Sequence, residues 1–533
     1  MFGSVKNLVR ILLLGLLGLF SVGLTGPTPA SGQVAEDICS WSVRVGSARL
    51  SAACLDARRF LWISAEQPAA PPEQKRIKSL PTRLYSTYRS AYAVDRNDGS
   101  LWSGRGGAVS ATSGVFMTLG PVRLAIEPQI SWSENRAFSL PDTTVIGLSR
   151  FADPWVFAAV DHYLRPGSGA RFRIDPGSSF VEVEGAQGRL GVSNERLWWG
   201  PARRYPLLFS GTAPGFWHAY VEAGPNLKTP LGRFHAQLLW GRLDESKWFD
   251  ADPGNDHRLL GAFQVAWSSD FVPGLEVAYS VVRHEPLPRG DFRLGQLGQL
   301  FTGDGASEDP MHVGVPMGSL GLRFAYPDEG FEAYAEIGRG DYLLVPEPGV
   351  SDGRHSLIYI MGFSRTVARA SGNAWRITGE VLKQSLELPQ PGPDPATPPR
   401  TFVAQGHTNQ GQVLGAYVGP GSNAQYVTLD HLGEGFSWGV FAERVRRNDD
   451  TYFRTHAYDY GFRGHDLEWT LGARLGAAPK LAWIGSAAFS AEFGASRRKN
   501  RSFVGLEHGE NRVFLREWNL WGEFLVRLDR AGR

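Results

Sequence analysis

The chain has 533 residues, a formal net charge of +2, 20% charged residues and 17 tryptophans. So small a net charge leaves no field of one sign to recruit nucleic acid, and none is expected as a partner. Apolar content of 42% with a mean hydropathy of −0.21 excludes a bundle of membrane-spanning helices.

In chain order, Lys6 and Arg10 precede an uncharged apolar run from Ile11 to Leu24, and Ala30-Ser31-Gly32 follows as a small-residue cleavage site. Residues 1–32 therefore read as a signal peptide, with Gln33 as the first mature residue. The run falls short of the roughly 20 apolar residues that a spanning helix needs. Residues 33–80 read as an N-terminal periplasmic segment. They contain the proline-rich PAAPPEQ, and Ala48 to Ile63 is their candidate for helix. Cys39 and Cys54 are the two cysteines of the chain. In an oxidising compartment they can pair as a disulfide, and a pair of buried thiols is the alternative.

From about Leu101 onward the text changes to short segments of period two. Phe234, Ala236, Leu238 and Trp240 alternate with His235 and Gln237; Leu320, Leu322, Phe324 and Tyr326 flank Gly321, Arg323 and Ala325. Phe331, Ala333, Ala335 and Ile337 alternate with Glu332, Tyr334 and Glu336, and Trp375, Ile377, Gly379 and Val381 with Arg376, Thr378 and Glu380. Leu467, Trp469, Leu471, Ala473 and Leu475 do the same, and near the end Trp518, Leu520, Phe524, Val526 and Leu528 share one face. Such strands have one apolar and one polar side. A soluble sandwich also alternates. Here the apolar faces end in aromatic residues, the polar faces mix small and charged side chains, and the chain carries an export signal. That combination predicts an all-β fold over residues 81–533, a transmembrane antiparallel β-barrel of about 18 strands in an outer membrane with lipid around it. Leu287 to Met317 and Glu387 to Gly406 read as its longest outer loops.

One stretch fits no strand. Asn194 to Phe216, NERLWWGPARRYPLLFSGTAPGF, is too aromatic for a surface loop and too broken by Gly and Pro for a helix. It falls after a strand near Leu190 and before one from Phe216 to Ala223, as an excursion at the barrel mouth or into its lumen. This segment resembles the hallmark of the Wzi-type capsule assembly proteins of Gram-negative outer membranes. Three others agree in the same order: NDGSLWSG (97–104), EAYAEIGRGD (332–341) and GHTNQGQVLGAYVGPGSNAQ (406–425). The resemblance implies a monomeric eighteen-strand barrel, plugged by its loops, that binds capsular or exopolysaccharide and helps hold it at the cell surface, with no catalysis and no cofactor. A porin or diffusion channel is the alternative.

Trp198 and Trp199 can stack on sugar faces, and Arg203 and Arg204 can fork onto hydroxyls or uronate carboxylates. Asn409, Gln412 and Asn423 are further candidate polysaccharide ligands. The bland reading assigns the tryptophans to packing, the arginines to lumen acids such as Glu195, and Gly419 to Asn423 to turn chemistry. Glu336, Arg339, Asp341 and Glu380 read as a polar network in the lumen, with a pair of glycosidase carboxylates as the rival. His407, His431, His456 and His465 have no metal-ligand spacing, and no metal site is expected. No nucleophile elbow or phosphate loop stands in a suitable context.

Overall fold

The protein is described from a computed structural model. The described residues are 77–94, 96–143, 149–156, 160–185, 188–249, 256–287, 317–326, 329–339, 358–369, 373–384, 405–433, 435–450, 452, 464–477, 480–481, 485–504 and 516–530. The signal peptide, the candidate helix, Cys39, Cys54 and His456 lie outside them.

The described residues build a closed antiparallel barrel of 18 strands. They are β1 (Ile77–Arg89), β2 (Gly106–Leu119), β3 (Val122–Ile126 with Gln129–Ser133), β4 (Arg171–Asp175 with Phe180–Glu184), β5 (Gly188–Ser193), β6 (His218–Thr229), β7 (Gly232–Asp244), β8 (His257–Ser269) and β9 (Leu275–Pro286). The circuit continues with β10 (Met317–Tyr326), β11 (Phe331–Arg339), β12 (Ile358–Ala368), β13 (Ala374–Lys383), β14 (Asn423–Leu432), β15 (Phe436–Arg447), β16 (Asp466–Ala477), β17 (Gly485–Lys499) and β18 (Arg516–Arg530). Each strand pairs with its chain neighbours, and β1 closes the ring on β18 from Thr82 opposite Leu528 to Arg89 opposite Trp521. The first strand begins at Ile77, inside the segment read from sequence as periplasmic.

Breaks in β3 and β4 face each other. Pro128 and Pro176 have no amide to give to a ladder, and Gly177 at φ 62 sits where Glu127 crosses over. Connections alternate in length. Two residues, 230–231, join β6 to β7, whereas the other end carries the connections 134–170, 194–217 and 384–422. Both the start of β1 and the end of β18 lie at the short-turn end.

The alternation read from sequence maps onto the two faces of the wall. On β18, Trp518, Leu520 and Phe524 are exposed on the outside, while Asn519, Trp521, Glu523, Leu525 and Arg527 are buried within. The ten steps from Trp518 to Leu528 cover roughly 33 Å of strand, or about 25 Å along a barrel axis tilted by about 40°. That equals the apolar band of an outer-membrane barrel. Aromatic rows bound the band. Trp132, Trp217, Trp469 and Trp518 stand exposed toward the long loops. Toward the short turns, Trp375, His431 and Trp438 pack ring on ring, with centroids 5.0 to 5.8 Å apart. His431 is thus a girdle residue. Leu471 lies exposed in the middle of the band. Leu471→Arg is expected to lower stability in lipid by about 2–4 kcal/mol, read by urea titration of the vesicle-folded protein against wild type.

The largest apolar core lies inside the barrel, in its long-loop half. Inward Tyr220, Leu239, Leu243, Leu260 and Val282 pack against Leu197, Trp199, Leu207, Phe209 and Leu414, which come from connections rather than strands. Nearer the short turns the inner wall is ionic. Arg323 bridges Glu276 and Glu332 at 2.9 and 2.8 Å, and Arg189 holds Glu222 at 2.7 Å.

Candidate functional site

Apolar residues in the 194–217 connection have two places to go, and burial inside the wall costs less than exposure at the mouth. Pro201, Pro206 and Pro214 keep the segment out of helix, and Gly200, at φ 92, makes a turn where a Cβ would overlap the Glu336 carboxylate. The segment therefore folds back into the lumen. Trp198 and Trp199 are both buried, at 3% and 0% exposure. Trp198 donates its indole N–H to the Ala202 carbonyl at 3.0 Å, and Trp199 meets Phe209 edge-on at 5.0 Å.

Two carboxylates on the wall hold the fold-back in place. Glu380 of β13 accepts three successive backbone amides, Arg203 at 2.8 Å, Arg204 at 3.0 Å and Tyr205 at 2.7 Å, and also the Tyr334 hydroxyl. Glu443 of β15 takes Arg204 through both nitrogens of its fork at 2.8 and 3.1 Å. The same carboxylate accepts the hydroxyls of Tyr205 and Tyr417 and a contact from Arg96 at 3.3 Å. Arg203 pairs with Glu332 of β11. Glu332 and Glu443 are thus acids that meet the arginines, and Glu195 accepts the Ser193 hydroxyl at 3.2 Å. Paired charges of this kind are tolerated in a dry interior because each has several partners. Burial opposes charge on Arg204, and its acidic neighbour more than offsets that, raising its pKa further above the ordinary arginine value.

A second connection seals the first. Asn409 accepts the Asp244 amide at 3.1 Å and donates to the Pro214 carbonyl at 3.3 Å. Gln412 donates at 3.1 Å to the carbonyls of both Gly99 and Thr212, and the Thr212 hydroxyl donates to Asn97 at 3.0 Å. Gly411, at φ 79, lies flat on the Tyr163 ring, where any Cβ would collide. Asn423 donates to Asp449 at 2.6 Å, and Gly419 and Gly421 turn the chain with positive φ. The stretches 97–104, 194–217 and 406–423 and the inner face of β11 thus meet at one place in the lumen. Glu336 and Glu380 both face inward there and are buried, whereas Asp341 and the Arg339 side chain lie outside the described residues. Sequence reasoning missed Glu443, Glu332, Arg96 and Tyr417. The usable signal was strand phase, because Glu443 and Glu332 sit at inward positions of alternating strands.

His407 joins the seal to the wall. One ring nitrogen faces the Leu208 carbonyl, and the other lies 2.9 Å from His284 of β9. Arg258 of β8 binds the carbonyls of Gly406 and Thr408 beside it. Burial, helped by the Arg258 charge, pushes the His407 pKa down to about 4 against a weaker opposing effect of its backbone hydrogen bond. A histidine depressed in the folded state takes up its proton more readily when unfolded. The stability it contributes is complete above about 6.5 and is lost as pH falls from there toward about 4. The melting temperature is expected to drop over that window, and His407→Gln to flatten the drop; equal profiles would refute the assignment.

Above the seal a cleft of about 840 Å³, counted with its open mouth, faces the long-loop end. Tyr92, Trp102, Phe138, His162, Tyr163 and Arg447 are among its lining residues. Trp102 and Tyr163 pack edge to face at 5.2 Å, and His162 pairs with Asp153 at 3.1 Å. Arg447 is held by Glu468. Among the described residues, no group of three or more His, Cys, Asp or Glu side chains is disposed to hold a metal ion.

No family model matches the chain, and no curated protein matches it. Among solved structures, it is similar in fold to Wzi, an outer-membrane protein of Escherichia coli involved in group 1 capsule assembly and described as a carbohydrate-binding β-barrel. The identity is 10%, the match covers 85% of each chain, and the TM-score is 0.53. OccAB2 and OccAB1 of Acinetobacter baumannii match at 10% and 11% identity, over 84% and 88% of this chain and 98% and 100% of theirs, each with a TM-score of 0.42.

Proposed function

We propose that this protein is an outer-membrane barrel that binds exported capsular or exopolysaccharide and helps keep it on the cell surface, acting as a monomer without a cofactor and without catalysis. The observation that carries the reading is the sealed lumen beneath an aromatic cleft at the long-loop end. A conduit needs an open bore, and among the described residues the long-loop half of this bore holds an apolar core locked by two carboxylates. Sugars bind to aromatic faces bordered by planar polar groups, and half-buried Phe138 and His162 supply such groups at the cleft. The carbohydrate-binding description of Wzi, whose fold is similar, supports the same class of ligand. With the long loops outward, as in other barrels of this build, the cleft opens to the cell exterior.

The reading shifts the direct contacts away from Trp198, Trp199, Arg203, Arg204, Asn409, Gln412 and Asn423. Those residues hold the cleft floor in shape, and Phe138 and His162, both half-buried at the cleft, touch polymer. Retention of a long polymer then comes from many weak contacts across many barrels.

Deleting the gene is expected to leave polymer synthesis intact while moving cell-bound polymer into the medium. Complementation with a Phe138→Ala, His162→Ala variant should restore little retention. Full retention by the deletion strain would sink the reading. New reducing ends after incubation of polymer with purified protein would mark it as an enzyme instead.

A further inference from the structure

The outside of the wall is not uniform at its long-loop end. Cross-strand register places Gln425, Arg444, Trp469, Arg497 and Trp518 in one row over β14 to β18. The next row toward the long loops is Asn423, Arg446, Leu467, Lys499 and Arg516. All these positions share the outward phase of Val427, Ala442, Leu471, Ala495 and Leu520, the row below, which belongs to the apolar band. Five cations, Arg444, Arg446, Arg497, Lys499 and Arg516, thus stand on β15, β17 and β18, within about 15 Å of one another around the wall. Arg444 and Arg497 lie over the rings of Trp469 and Trp518, each 5.7 or 5.8 Å from the centroid, so the aromatic row steers their stems. Arg446 is bound to Asp449, while Arg497, Lys499 and Arg516 are exposed to the outside. Elsewhere on this rim Arg242 is balanced by Asp244 at 2.9 Å and Arg283 by Glu285 at 3.5 Å.

We propose that this outer patch of β15 to β18 binds the phosphorylated headgroup of a glycolipid in the surrounding leaflet. The proposal rests on reading the apolar band as embedded in membrane. Position identifies the ligand. The cations point away from the lumen and adjoin the apolar row directly, so whatever neutralises them must carry its negative charge at the top of an acyl layer. A soluble polymer would meet the cations but leave the row below uncovered. Guanidinium forks match phosphate oxygens in pairs, and a lysine adds a point charge. Each cation at a membrane surface contributes on the order of a fivefold gain in affinity for anionic lipid.

The test is native mass spectrometry of the full, detergent-purified chain with three probes: bisphosphorylated lipid A, the same lipid A after phosphatase treatment, and phosphatidylcholine. Wild type should retain the phosphorylated lipid in preference to both others and release it in about 1 M salt, where the screening length is about 3 Å. The triple variant Arg497→Gln, Lys499→Gln, Arg516→Gln should bind it on the order of 100-fold more weakly while keeping polysaccharide binding. Equal retention of the dephosphorylated lipid by wild type, or unchanged binding by the triple variant, overturns the proposal. Should the variant fail to fold, the phosphatase comparison on wild type decides alone. A protein that stays soluble without detergent and does not float with vesicles sinks the membrane reading together with this one, whereas a protein that floats but ignores the phosphates sinks only this one.

Discussion

Glu443→Ala is expected to lose about 3–5 kcal/mol of stability, the cost of leaving half-buried Arg204 without its counter-charge and Arg96 with Glu492 alone. The two tyrosine hydroxyls that end on the same carboxylate lose their acceptor at once. Arg204→Ala should cost less, because it leaves behind a carboxylate still served by Tyr205, Tyr417 and Arg96. A double-mutant cycle in chemical denaturation measures the coupling, and a value near zero would show that the pair does not hold the seal. Glu443→Gln keeps the shape and acceptor oxygen but not the charge, so it should fall between the two.

The second large effect concerns permeation. Replacing residues 406–421 by a glycine-serine linker removes the clamps of Asn409 and Gln412 and the Arg258 and His407 docks. In planar bilayers the wild type should pass little steady current. The replacement variant should show larger conductance steps than wild type, because the bore loses Leu414, Ala416, Tyr417 and Val418 from its filling while the 194–217 segment stays. Large steady steps from wild type would overturn the sealed-lumen reading and return the porin alternative to first place.

The wall was legible in the sequence because its rule is local. Period-two text with aromatic ends specifies which side chain faces which way, and β11, β13, β16 and β18 follow that text residue for residue. The 194–217 excursion was legible as an exception for the same reason, since nothing in it alternates. What the excursion does inside was not legible. The partners of Arg203 and Arg204 lie 129 and 239 positions away in the chain, on strands whose inward carboxylates look like any other polar alternation. Neighbouring Glu195 was the sequence-local choice for those arginines, and the distant strand acids Glu332 and Glu443 join them in the fold. The two tryptophans, read as sugar platforms from their chemistry, are buried because no period told which surface they meet. The cationic patch was visible only as scattered basic residues until register put them in rows.

The ring also constrains the order in which the molecule can be made. Its closing seam joins Arg89 to Glu523, 434 positions apart, and contacts of such long separation form slowly. The filling segment is synthesised well before the strands that carry Glu380 and Glu443, so it waits without its anchors until those strands arrive. Glu380 takes three of its backbone amides and Glu443 takes its arginine fork, so the filling locks only after both strands have joined the sheet.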